Sequence, residues 1–207
     1  PSQESNATVT DNKNNGVVSG NESVGGIFGS LGIYSARYSS DKTTFTLTNC
    51  ENTQVLSGTG NNIGGIVGNQ TTGSNNSYSS WTISSCGNSG AINGKDHTGG
   101  IVGNAVCLST MTACTNSANI TGNNYVGGYI GQSSNTTVRI ATNSNTITGK
   151  GYVGGIAGYA GLMDRCTNNG EIISTAVVIE DTTSYAYVGG IAGYAVGATS
   201  CTNNIDI

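Results

Sequence analysis

The sequence predicts an all-β fold, a right-handed parallel β-helix (a solenoid) of about six or seven coils. Three observations predict it: the composition, a hexapeptide that recurs, and a second motif that aligns an asparagine in every copy. Glycine supplies 33 of the 207 residues and only 9% are charged, against about 25% charged residues in an ordinary globular domain. So few charged and helix-forming residues argue against helical bundles and coiled coils, and the many turn residues favour short strands.

A glycine-rich hexapeptide recurs six times, at intervals of 27 to 39 residues. Its copies are Val24–Gly29, Ile63–Gly68, Thr98–Gly103, Val126–Gly131, Val153–Gly158 and Val188–Gly193. A unit this short cannot form a propeller blade of about 40–45 residues, and no leucine ladder is present. Three short strands and three turns fit it, and coils stacked about 4.8 Å apart form a solenoid, whose handedness follows the general chirality of parallel crossovers. The paired glycines should let the chain turn and let neighbouring backbones approach closely.

The second motif, T/S-x-C-x-N, places an asparagine at the same position of every unit. The aligned residues are Asn14, Asn52, Asn88, Asn116, Asn143, Asn168 and Asn203. Stacked side-chain amides can hydrogen-bond to one another along a solenoid axis, and asparagine tolerates the left-handed backbone of a corner. The sequence therefore predicts an asparagine ladder at one corner of the coil.

Cysteine fills the position two residues before the asparagine in five units. These residues are Cys50, Cys86, Cys114, Cys166 and Cys201, with Asn12 and Ala141 in the other two units. The favoured interpretation is a stacked row of small, buried, reduced thiols. Disulfides between coils are a weaker alternative because parallel Cβ vectors do not point at each other. A metal site is weaker still because no C-x-x-C spacing occurs and His97 is the only histidine; Cys107 lies outside the row.

The strand before the cysteines is less regular. One column is read as Leu47, Ile83, Met111, Arg139, Met163 and Thr199, and its unevenness suggests that it faces the other way. The segments Thr46–Thr48, Thr82–Ser84 and Thr110–Thr112 resemble the Thr-x-Thr face of ice-binding proteins. That row fails at Val138–Ile140 and at Asp164, which argues against ice binding.

The recurring VGGI-x-G hexapeptide resembles the GLUG motif, and the resemblance covers nearly the whole chain, with departures at Thr98 and Tyr129. GLUG repeats occur in large secreted or surface-anchored bacterial proteins, including some immunoglobulin A peptidases. There they look like stalk or adhesive regions. The resemblance implies an extracellular or cell-surface location and flanking domains in a longer parent chain, of which residues 1–207, beginning at Pro1, are one β-solenoid domain. No H-E-x-x-H motif is present, so peptidase activity is not implied.

Charge and chemistry restrict the function further. The net charge is −4 without a basic patch, so nucleic acid is not expected as a partner. No apolar run approaches about 18 residues, so membrane insertion is not expected. Carboxylates fall at unrelated repeat positions, and the one adjacent pair is Glu180–Asp181. We therefore expect a non-catalytic scaffold without catalytic residues, metal or cofactor; a polysaccharide-degrading β-helix enzyme is the least favoured alternative.

Two tyrosine columns are the candidate ligand-binding residues. Tyr125, Tyr152 and Tyr187 directly precede the hexapeptide, and Tyr159 and Tyr194 directly follow it. Aromatic rings can support sugar rings, so the ligand would be a host or dietary glycan, or an extracellular protein. The favoured alternative is an aromatic ladder that only stabilises the turns. Binding could also use loop insertions, at Ser30–Thr44, Gln70–Trp81 and Ser174–Ala186, where Trp81 is either a cap over the core or an exposed anchor.

Overall fold

A computed structural model describes residues 4–33, 42–72, 80–106, 109–133, 135–176 and 186–206. Every strand pairing in these residues is parallel, and the strands form four sheets that run along one stack. The predicted all-β parallel solenoid is confirmed, but the expectation of three strands per coil is wrong, because each complete coil contributes strands to all four sheets. Part of each predicted insertion, together with Cys107, Glu180 and Asp181, lies outside the described residues. No helix long and apolar enough to cross a bilayer occurs in the described ranges.

The broad sheet has eleven strands. One half of it consists of Glu4–Thr10, Lys42–Thr48, Ser80–Ser84, Ser109–Thr112 and Thr136–Arg139. The other half consists of Phe28–Ile33, Val67–Thr72, Val102–Ala105 and Ile130–Gln132. In the last two coils a single strand crosses both halves, as Ala157–Asp164 and Ala192–Thr199. Most of the variation in coil length therefore falls at the junction between the two halves.

Three narrower sheets complete each coil. The asparagine sheet has seven strands, Lys13–Asn14, Glu51–Asn52, Gly87–Asn88, Thr115–Asn116, Thr142–Asn143, Thr167–Asn168 and Thr202–Asn203. The aliphatic sheet has six, Val18–Gly20, Leu56–Gly58, Ile92–Asn93, Ile120–Thr121, Ile147–Gly149 and Ile172–Ser174. The glycine sheet has six, Val24–Gly25, Ile63–Gly64, Thr98–Gly99, Val126–Gly127, Tyr152–Gly154 and Tyr187–Gly189.

Side chains alternate between solvent and core along the broad sheet, as the two-residue period of a strand requires. The column predicted to face away from the core instead lines it: Leu47, Ile83, Met111, Val138 and Met163 are buried. The strand register pairs Met111 with Val138. The same register places Ala198, and not Thr199, beside Met163. The expectation that Arg139 and Thr199 belong to this column is therefore wrong. Arg139 lies one residue further on, is exposed, and pairs with Asp164.

The paired glycines connect two separate hydrophobic clusters. Val126, the first residue of its hexapeptide, packs in a small cluster between the aliphatic and glycine sheets. Tyr129, the fourth, packs in a larger cluster behind the broad sheet. Between them, a Cβ on Gly127 would lie 2.3 Å from the carbonyl oxygen of Ile130. No described glycine has a positive φ, so close approach of backbones, rather than a left-handed turn, requires glycine here.

The left-handed corners are formed by other residues, directly before the cysteine column. They are Asp11, Asn49, Ser85, Ala113, Ile140, Arg165 and Ser200, with φ between 51° and 57°. The ladder asparagines lie three residues later, in extended strands. The prediction that they occupy the left-handed corner is wrong, although their stacking is as predicted. A second left-handed corner precedes the hexapeptide in four coils, at Ser23, Asn62, His97 and Tyr125.

Candidate functional site

Five tyrosines gather on one surface of the last coils, where the glycine sheet meets the broad sheet. We call them the tyrosine strip: Tyr125, Tyr152, Tyr187, Tyr159 and Tyr194. The strand register pairs Tyr152 with Tyr187 and Tyr159 with Tyr194. The hexapeptide between the two columns is anchored by its buried residues, so it fixes the columns beside each other. The structure thus brings together all five predicted ligand-binding residues.

The tyrosine rings stack on one another along the axis. The Tyr125 and Tyr152 rings have centroids 4.7 Å apart and planes 6° apart, and the Tyr152 and Tyr187 rings 4.6 Å and 11°. In the second column the Tyr159 and Tyr194 rings are 4.8 Å and 12° apart. Rings this close cover most of each other's faces. A ligand lying along the strip would therefore contact ring edges and hydroxyl groups.

The two columns also contact each other edge to face. The Tyr159 ring lies 6.5 Å from the Tyr125 ring and 6.3 Å from the Tyr152 ring, at about 70° to both. Tyr187 and Tyr194 are exposed, and the other three are half-buried. Desolvation raises the pKa of Tyr152, and the neighbouring phenols of Tyr187 and Tyr125 raise it further. Tyr152 at the centre of the strip is therefore an uncharged phenol at neutral pH.

Polar side chains continue both columns into the preceding coils. The His97 ring lies 5.1 Å from the Tyr125 ring, and its Nδ1 is 3.0 Å from the side-chain oxygen of Asn62. Burial lowers the pKa of His97, so the neutral imidazole can donate from Nδ1 to that amide oxygen. In the other column Asn104 donates to Asn69 at 3.2 Å. The surface thus passes from amides to aromatic rings along the axis.

The asparagine ladder is continuous over all seven units. Each side-chain nitrogen donates to the side-chain oxygen of the next asparagine, at 2.7 to 2.8 Å, through the series Asn14, Asn52, Asn88, Asn116, Asn143, Asn168 and Asn203. The same nitrogen also donates to the carbonyl two residues further on, as from Asn116 to Ala118 at 2.7 Å. The predicted ladder is confirmed. Its members from Asn52 to Asn168 are buried.

The cysteine row lies inside the coil beside the ladder. Cys50, Cys86, Cys114 and Cys166 are buried, Cys201 is partly buried, and all five thiols are free. Each thiol donates to the carbonyl oxygen two residues earlier, across the left-handed corner, at 3.4 to 3.6 Å. Burial raises the pKa of Cys166 to about 11. A small thiol in this position therefore packs in the core and also forms a hydrogen bond across the corner.

The remaining candidates divide between core and solvent. Trp81 is buried within the core cluster and its ring lies 4.6 Å from that of Phe45, so it is not an exposed anchor. Tyr129 is buried beside the cysteine row, where burial raises its pKa. Within the described ranges, no group of three or more His, Cys, Asp or Glu side chains could hold a metal ion.

One contact was missed by sequence reasoning. The second glycine of each pair lies against a ladder asparagine: a Cβ on Gly100 would be 2.7 Å from the side-chain oxygen of Asn116. Both residues were found as columns, and their co-occurrence in every complete unit was the available signal. Comparisons with protein-family models, with curated proteins and with solved structures found no match.

Proposed function

We propose that this chain is a non-catalytic module of a secreted or cell-surface bacterial protein, in which it serves as a structural or adhesive scaffold. The observation that supports the proposal most strongly is the repetition of identical contacts from coil to coil. The asparagine ladder and the cysteine corners have the same geometry wherever they occur. An array of this kind holds surface groups at a fixed spacing over its whole length.

The position outside the cell rests on the resemblance of the hexapeptide to GLUG repeats. In that setting the partners would be the flanking domains of the parent chain and a host or dietary glycan or an extracellular protein. The repeated side chains of the ladder and core are buried and contact neighbouring coils. Recognition of a partner would therefore use the outward side chains and the loops.

Adhesion can be tested directly with the purified chain coupled to fluorescent beads. The beads would be applied to arrays of glycans and of extracellular-matrix proteins, with beads carrying an unrelated β-solenoid as control. Specific retention supports an adhesive role, and no retention on any surface supports a purely structural spacer. Incubation with soluble polysaccharides should release neither reducing ends nor unsaturated products; release of either would refute the non-catalytic assignment.

The second candidate function is carbohydrate binding by the tyrosine strip. It is favoured by five phenols on one surface with hydroxyls spaced by the coil repeat, next to the amides of Asn69, Asn104 and Gln132. Because the ring faces stack on one another, recognition would use hydroxyl hydrogen bonds and ring edges more than stacking on a sugar ring. An extended glycan running along the axis would meet such a surface most fully.

Two variants distinguish binding from mere stabilisation. Tyr152→Phe keeps the stack and removes one hydroxyl, and Tyr125/Tyr152/Tyr187→Ala removes a whole column. Loss of glycan retention in both variants, with a melting temperature unchanged for Tyr152→Phe, supports binding through the hydroxyls. A lower melting temperature in the triple variant, without any change in retention, supports the ladder that only stabilises the turns.

A further inference from the structure

One half of the broad sheet has an outward surface of hydroxyl groups in two adjacent columns. The first column is Thr8, Thr46, Thr82, Thr110 and Thr137, and the second is Thr10, Thr48, Ser84 and Thr112. We call these nine residues the hydroxyl array. The sequence alignment missed its first and fifth coils, because Thr137 rather than Val138 follows Thr110 in the stack.

Strand geometry gives the array two regular spacings. Residues in one column are about 4.8 Å apart, the distance between neighbouring strands, and the columns are two residues, or about 6.6 Å, apart along the strand. The intervening residues of each strand, such as Leu47, Ile83 and Met111, are buried. The buried residues therefore hold the strands in register. The distance between strands sets the spacing within a column, and the two-residue repeat along each strand sets the spacing between the columns.

The hydroxyls of the array are largely left to solvent. Thr48 and Ser84 share a hydrogen bond of 3.0 Å, and in the described part of the chain the other seven residues make no side-chain hydrogen bond to protein. Thr8, Thr10 and Thr110 are exposed and the rest are half-exposed. The array contains no charged residue, and it ends where Arg139 and Asp164 continue the second column.

We propose that the hydroxyl array binds ice. Each threonine presents a methyl group, around which water orders, beside a hydroxyl that can hydrogen-bond to that water. The two spacings are close to oxygen–oxygen repeats on a face of hexagonal ice, so waters hydrogen-bonded to the array would lie near lattice positions. Charged or long mobile side chains would disturb such a layer, and the array has none. Its lack of aromatic rings disfavours an insoluble polysaccharide as the occupant of the same face.

The test measures thermal hysteresis and the shape of single ice crystals in solutions of the purified chain. Thr82→Tyr/Thr110→Tyr places two large rings at the centre of the array. The matched control is Thr115→Tyr, at an exposed outward position of the asparagine sheet. We expect hysteresis and crystal shaping in the wild type and the control and their loss in the double variant.

A second variant separates surface chemistry from folding. Thr82→Val/Thr110→Val keeps β-branched side chains and methyl groups and should weaken hysteresis while the circular dichroism spectrum stays that of the wild type. No hysteresis in the wild type, or equal hysteresis in the wild type and the double tyrosine variant, would overturn the proposal. Binding of the wild type to insoluble polysaccharide, lost in the double tyrosine variant and without any effect on ice, would also overturn it.

Discussion

Gly128 lies directly against the side-chain amide of Asn143, so that a Cβ on this glycine would be 2.6 Å from Cγ of the asparagine. The same Cβ would be 2.3 Å from the carbonyl oxygen of Gly155 in the next coil. The amide of Asn143 is in turn hydrogen-bonded to both neighbouring asparagines. The hexapeptide and the asparagine motif are therefore two sides of one contact across the interior.

The first prediction follows from this contact. Gly128→Ala should destabilise the fold by about 1–3 kcal/mol or more, because backbone and a hydrogen-bonded amide must both move. The measurement is the midpoint of urea unfolding followed by circular dichroism. The control is Gly87→Ala, where the nearest atom to a new Cβ is 3.7 Å away. An equal loss in both variants would show that the close contact is not what requires glycine.

The second prediction concerns the ladder. Asn116→Ala removes the bond to Asn143 and the acceptor for the side-chain nitrogen of Asn88. Leaving buried amide groups unpaired should cost about 1–3 kcal/mol. Asn14→Ala, at a half-buried end of the ladder where one inter-coil bond is lost, should cost less. Thermal unfolding of both variants checks the order, and an equal or reversed order would contradict it.

The third prediction is a stabilising change. Ile140 has a φ of 52° and is 47% exposed, and the left-handed conformation costs an L-residue about 1–2 kcal/mol. Ile140→Gly should therefore raise the melting temperature, since glycine adopts this conformation without a Cβ clash. Val55→Gly is the matched control, because Val55 is also exposed but has no positive φ. A decrease in both variants would refute the strain at Ile140.

The fourth prediction is a pH dependence from the buried thiols. Burial raises the pKa of Cys166 to about 11, whereas an unfolded cysteine titrates near about 8.5. Between these two pKa values the unfolded chain loses a proton that the folded chain retains. The contribution of this thiol to the free energy of unfolding is therefore complete below about pH 8.5 and decreases as the pH rises towards 11. Urea midpoints measured across this range should fall in the wild type.

The control for the thiols is present in the sequence itself. Ala141 occupies the cysteine position of its coil and is buried, so Cys166→Ala should fold. This variant should show a smaller fall in the urea midpoint over the same pH range. A fall as large as that of the wild type would mean that other groups produce the pH dependence.

The repeat period allowed much of the fold to be predicted. The hexapeptide and the column of asparagines fixed the stacking direction, because only in-register coils place seven identical amides over one another. Register within a single strand was harder to predict. Arg139 and Thr199 were each aligned with the column of Met111 and Met163, one residue too far along the strand. One residue of offset exchanges core and solvent.

The sequence predicted which residues form the tyrosine strip but not how their rings are arranged. The five tyrosines were found as two columns, but the tight stacking of their rings depends on side-chain rotation at the corner, which spacing does not encode. The role of the paired glycines was only half predicted. Close approach was expected, but the atom approached, the asparagine amide of Asn143 for Gly128, belongs to another sheet.

All amides of the ladder donate in the same direction, from Asn14 towards Asn203. A whole coil could therefore be duplicated or deleted between any two others, and both new junctions would recreate the donor–acceptor pairing that was there before. Fractions of a coil would break that pairing. In related genes, the number of coils should thus change in steps of entire repeats, so that the length of the stack along its axis can change while the contacts of its interior are kept.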